Sequence, residues 1–157
     1  MPSLVWPSAM GSWSIDSTLM CGPAWRPDNL EVFWMPPPNR GTERDVPGVV
    51  GSVAYGHLAA SRTVDVWLKV SGATDQAGSA NANETAGFQA NIDTLWALVS
   101  PPTMPTVTRT STLTMPDAST REAEIIIKEM SDPVRESGNL ARLALTITIP
   151  AGAHYAP

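Results

Sequence analysis

The side chains of this sequence whose types could carry chemistry are few: His57, His154, Cys21 and the close carboxylate pair Glu122 and Glu124. The two histidines stand far apart, and neither has a cysteine, histidine or carboxylate at metal-ligand spacing, so no metal site is expected. Glu122 and Glu124 share one face of an alternating segment beside Arg121 and Lys128, which reads as a solvated sheet surface. Carboxylate catalysis requires an enclosed site that drives two pKa values apart. No G-x-S-x-G elbow, phosphate loop or G-x-G-x-x-G turn is present. A lone cysteine forms no intrachain disulfide, and Cys21 reads as a small buried hydrophobe. The sequence therefore predicts a protein that is not an enzyme and carries no cofactor.

The residues that ask for another explanation lie between Trp34 and Gly72. Pro36, Pro37 and Pro38 cannot continue a helix and favour an extended backbone. Arg40, Glu43, Arg44 and Asp45 then crowd a short segment with Gly41, Pro47, Gly48 and Gly51. Residues 36–61 read as a long loop, and loops beyond roughly 12–15 residues are uncommon in compact domains unless they are functional or disordered. Exposed pairs among these charges would contribute only about 0–1 kcal/mol each. The alternative is pairing across a repeated subunit interface, where the planar fork of arginine is favoured. Pro36, Pro37, Pro38, Arg40, Glu43, Arg44 and Asp45 are thus candidate interface residues. Trp67 joins them because it falls on the polar side of the following strand.

The run Arg40-Gly41-Thr42-Glu43-Arg44-Asp45-Val46-Pro47-Gly48-Val49-Val50-Gly51, followed by an alternating strand that ends at Gly72, resembles the distal tail and minor tail proteins of long-tailed phages, especially phages of actinobacteria. The order of the later elements fits the same family, so the resemblance covers most of the chain. It implies a β-sandwich with a flanking helix, related to tail tube proteins, that assembles as a sixfold ring around a central channel. It also implies location in the virion after assembly in the host cytoplasm. The implied partners are further copies of the chain, the tail tube protein and tail-tip or hub proteins, with DNA passing only transiently through the lumen. Many distal tail proteins carry a second, carbohydrate-binding-like domain after the ring domain; the chain ends soon after its last strand, so none is expected.

Composition agrees with a globular chain. It has 157 residues, 43 % hydrophobic and 16 % charged, with a net charge of −5. That length predicts a single domain, residues 1–157. The charge disfavours a general nucleic-acid-binding surface. No apolar run approaches 18 residues, so no membrane span is expected, and the N-terminus lacks the basic start and apolar core of a signal peptide. Six tryptophans stand out; Trp34 and Trp96 are expected in the core.

Periodicity supplies the elements. Short strands are expected near Leu4–Trp6, Ser12–Asp16 and Leu30–Trp34. Arg62–Val70 alternates, with Val64, Val66, Leu68 and Val70 on one face. Ala73–Asn83 is small and polar, a flexible connection by composition. Phe88, Ile92, Leu95, Trp96 and Val99 define one face of a helix over about residues 84–99, with Gln89, Asn91 and Asp93 elsewhere on its surface. Asn81 and Glu84 are a candidate capping pair. Thr106–Met115 and Arg121–Met130 form a hairpin, Ser131–Asn139 a connecting loop, and Leu140–Ile149 the last strand. The fold class is α+β, mainly β: an antiparallel sandwich or half-barrel with one packed helix. The function expected is a ring-forming distal tail protein that joins tube to tip. A tail tube subunit and a stand-alone carbohydrate-binding β-sandwich, stacking sugars on exposed tryptophans, are the alternatives.

Overall fold

The computed structural model describes residues 11–33, 39–45, 52–59, 61–99, 108–151 and 154, with only the backbone course given for 39–45 and 52–59. In chain order the strands are β1 (Ser12–Ile15), β2 (Thr18–Leu19), β3 (Trp25–Pro27), β4 (Asn39–Asp45), β5 (Ser52–Ala59), β6 (Arg62–Ser71), β7 (Arg109–Thr114), β8 (Thr120–Met130), β9 (Val134–Ser137) and β10 (Leu140–Ile149). A 3-10 turn spans Leu30–Phe33 and a helix, α1, spans Glu84–Val99.

β10 is the spine. Its alternation is complete: Ala141, Leu143, Leu145, Ile147 and Ile149 are all fully buried. Each leucine or isoleucine among them contributes roughly 1.5–3 kcal/mol on burial. One edge of β10 pairs with β6 over the whole length of both, from Leu140 opposite Ser71 to Ile149 opposite Arg62. Its other edge pairs with the second half of β8 and then with β9. The first half of β8 pairs instead with β7, which pairs with β1. The result is one eight-stranded antiparallel sheet in the order β2-β1-β7-β8-β10-β6-β3, with β9 alongside β10.

The sheet curls into a half-barrel, and β8 is where it bends. Between Ile127 and Glu129 the pairing with β10 shifts by one residue, leaving Lys128 as the extra residue of a bulge. A bulge bends its strand and sharpens the local twist. Trp13, Ile15, Val66, Leu68, Val70, Leu113 and Ile125 fill the inner face, and α1 seals it with Phe88, Leu95 and Val99.

Several expectations are corrected. Leu30–Phe33 is no strand: Val32 N–H bonds to Asn29 O (3.2 Å), and the 3-10 turn sends both Leu30 and Phe33 into the core. Ser131–Asn139 contains β9, whose four residues are all exposed and so carry no apolar alternation. The helix caps on Asn83, whose Oδ1 accepts from the N–H groups of Thr85 and Ala86 (3.0 and 3.2 Å). Asn81 instead donates to Gly72 O (2.9 Å). The buried face of α1 runs through Gly87, Phe88, Asn91, Leu95 and Val99, which leaves Trp96 51 % exposed rather than in the core. The rotation follows from Asn91, whose amide donates to Ser71 O (2.7 Å) and Thr74 O (2.8 Å) where the chain leaves β6. A Cβ on Gly72 would collide with the carbonyl of Glu84, and one on Gly87 with the side chain of Asn81, so both glycines allow this close seat.

The stretch 36–61 holds more than a loop. β4 and β5 pair antiparallel as a two-stranded ribbon separate from the main sheet, Asn39 opposite Ala59 and Asp45 opposite Ser52. A register shift places one extra residue of β5 at Gly56–His57. Pro, Gly and charge conceal a ribbon whose strands lack apolar alternation. Leu4–Trp6 and Trp34 lie outside the described residues.

Candidate interaction surface

The outer face of the β6–β10 pair carries Thr63, Asp65, Trp67 and Lys69 opposite Thr148, Thr146, Ala144 and Arg142. Thr63 and Thr148 share a hydrogen bond (2.9 Å), and Thr146 donates to Asp65 (2.8 Å). Trp67 is 37 % exposed, and the Arg142 guanidinium lies 4.7 Å from its ring centre. Such a contact over an aromatic face is worth about 0.5–1 kcal/mol at an exposed site. Asp28 lies within ion-pair distance of both cations of this patch, 3.5 Å from Arg142 and 3.8 Å from Lys69, and Glu136 lies 3.9 Å from Lys69. Val134, opposite Arg142 on β9, is 65 % exposed. The patch is an aromatic ring with a cation over it, edged by acids and one exposed aliphatic side chain.

The edge of β6 beside this patch is finished by Asn29. Its side chain donates to Asp65 O (3.0 Å) and accepts from Trp67 N–H (2.8 Å), standing in for the strand that β3 no longer supplies. Trp67 therefore sits on a backbone bonded along both edges. A rigid aromatic is the kind of residue that anchors protein interfaces.

The other sequence-predicted residues fall in or beside the ribbon. Arg40, Glu43, Arg44 and Asp45 all lie on β4, opposite Leu58, Ala54, Val53 and Ser52 of β5. Pro36, Pro37 and Pro38 lie outside the described residues. An isolated two-stranded ribbon is marginal in water, so a ribbon outside the main sheet gains from a surface to lie on.

The residues with chemical potential are placed as follows. Cys21 is 6 % exposed, and burial pushes its thiol up to about 12, against a smaller opposing effect of a hydrogen bond with the Trp13 backbone. Glu122 and Glu124 are exposed on β8 opposite Thr112 and Thr110. His154, however, has a partner that sequence distance conceals: its Nε2 is 2.7 Å from the Oγ of Ser111 on β7. Ser111 is fully buried and already accepts from the Trp13 indole N–H (2.9 Å). This pair is no nucleophile and base. The hydroxyl is sealed from solvent, and no described carboxylate orients the ring. Among the described residues no cluster of three or more metal-ligating side chains occurs, and no helix is long and apolar enough to cross a membrane.

The two exposed tryptophans do not share a groove. Trp67 leaves the sheet on the side away from α1, and Trp96 leaves α1 on the side away from the sheet. A tryptophan-lined sugar cleft therefore has no counterpart among the described residues.

The described chain is a mainly antiparallel half-barrel sealed by a single helix. It resembles the solved structure of Dit from phage SPP1, described as a paradigm of the hub adsorption apparatus in phages infecting Gram-positive bacteria. The two superpose with a TM-score of 0.54 at 15 % sequence identity, over 93 % of this chain and 52 % of that one. This chain thus spans about half the length of the protein it matches. No protein-family model and no curated protein sequence matches it.

Proposed function

We propose that this chain is a structural protein of a phage tail: a distal tail protein that closes into a sixfold ring between the tail tube and the tip, leaving a lumen for DNA. The observation that carries the reading is the shared fold with the SPP1 hub protein over 93 % of the chain. The ribbon β4–β5 supports it, because a ribbon outside the main sheet suits an arm laid on the next subunit. So does Trp67, held rigid on the outer face with Arg142 over its ring. In a ring each arm meets the same patch on its neighbour, a heterologous contact that closes by rotation. The acidic balance, a net charge of −5, suits a channel that a polyanion must pass without adhering. On this reading the chain acts by assembly and catalyses nothing.

Light scattering on the purified protein tests this. A sharp species at six times the 16.7 kDa chain is the outcome of a closed sixfold ring, and a monomer at every concentration would contradict it. A broad distribution of ever longer stacks would instead make it a tube subunit.

A further inference from the structure

Beyond β10 one described side chain, that of His154, lies in the core. His154 is 6 % exposed. Its imidazole meets three separate elements: Ser111 of β7 by a 2.7 Å hydrogen bond, Trp13 of β1 through that same hydroxyl, and Phe33 of the 3-10 turn edge-on with ring centres 5.0 Å apart. Trp13 and Phe33 also touch each other, 5.1 Å between centres. Ser111 Oγ accepts the indole hydrogen, so its own hydrogen is free to be donated to Nε2, which only a neutral ring can receive.

We propose that His154 is a proton-operated latch: neutral, its ring is seated against Trp13, Phe33 and Ser111, and protonated, it leaves that seat.

The seat is built for the neutral form. Nδ1 is buried and has no hydrogen-bond partner among the described residues, so an imidazolium would carry a buried N–H without an acceptor. On the elements around the ring, Arg62 of β6 places positive charge near it, Glu31 of the 3-10 turn is exposed, and Arg109 of β7 is engaged by Asp16 (2.9 Å). None of these supplies a counter-ion. Burial, helped by Arg62, lowers the seated ring to about 4 from its ordinary 6.5. A depressed histidine holds its seat fully above the ordinary value and loses it as pH falls toward the seated one. Between about 6.5 and 4, each unit of acidification therefore raises the released fraction about tenfold.

The test is nuclear magnetic resonance on the full chain between pH 7 and 4.5, following both histidine rings and the hydrogen exchange of the Trp13 indole. His57→Gln assigns the two rings. The latch predicts that the His154 ring stays neutral well below pH 6. It also predicts that indole protection, corrected for intrinsic exchange, falls about tenfold per unit below about pH 6.5. In His154→Phe, which keeps an aromatic ring beside Phe33 but cannot titrate, protection should not depend on pH. A His154 ring that titrates near its ordinary value, or a flat wild-type exchange profile, would overturn the latch. So would an equal slope in a folded His154→Phe protein; should that variant not fold, the two wild-type measurements decide alone.

Discussion

Gln76 fills the space that a Cβ on Gly22 would occupy, and from there it holds the two ends of the sheet together. Its Nε2 donates to Leu19 O of β2 (2.8 Å), and its Oε1 accepts from the N–H groups of Ala24 and Trp25 at the start of β3 (3.2 and 3.3 Å). β2 and β3 are the first and last strands in the sheet order, joined in the chain only by residues 20–24. The curl of the sheet thus ends in a clasp made by one amide side chain from the loop before α1. Gly22→Ala should displace that amide and lower stability by about 1–2 kcal/mol, the net worth of the bonds released. In a Gln76→Ala background the same change should be close to neutral. Urea unfolding of the double-mutant cycle reads the difference, and simple additivity would show that the two residues do not act as one unit.

Asn91 seats the helix. Its amide bridges Ser71 O and Thr74 O from a position 5 % exposed, so Asn91→Ala should cost about 2–3 kcal/mol by leaving both carbonyls without that donor. Trp96→Ala, on the exposed side of the same helix, should cost far less. Thermal unfolding of the two variants compares them directly.

The turn between β1 and β2 is strained. Asp16 and Ser17 have φ of 47° and 67°, the mirror-image turn that favours glycine. Asp16 is tied down, its carboxylate accepting from Arg109 and from the N–H of Thr110 at 2.9 Å each. No side-chain bond of this kind holds Ser17 among the described residues. Ser17→Gly should therefore raise stability by up to about 1 kcal/mol, relief of the left-handed backbone exceeding the added chain entropy. A denaturation midpoint that falls would contradict this.

Arg44 lies on β4 of the ribbon, outside the main sheet. Arg44→Glu should leave the circular dichroism and melting of the subunit unchanged while abolishing assembly. Intact assembly in that variant would remove the ribbon from the interface.

These sites differ in how far the sequence discloses them. β6, β7, β8 and β10 alternate between apolar and polar residues because one face of each meets the core, and their extents follow from that period. β9 is exposed at every position and β4–β5 stands outside the main sheet, so hydrophobic period says nothing of either. The helix is visible by its period, but its orientation is not, since a buried asparagine turns Trp96 outward. Gln76 and the Ser111–His154 pair depend on contacts between distant segments, and no local pattern announces them. Trp67 was legible, because a large aromatic on the polar side of a clean strand must meet solvent or a partner.

The most direct test of ring formation is an end-on view of the purified particle by negative-stain microscopy with class averaging. The account predicts closed sixfold rings with a stain-filled centre. Solid, asymmetric particles the size of a single 16.7 kDa subunit, at every concentration imaged, would contradict it.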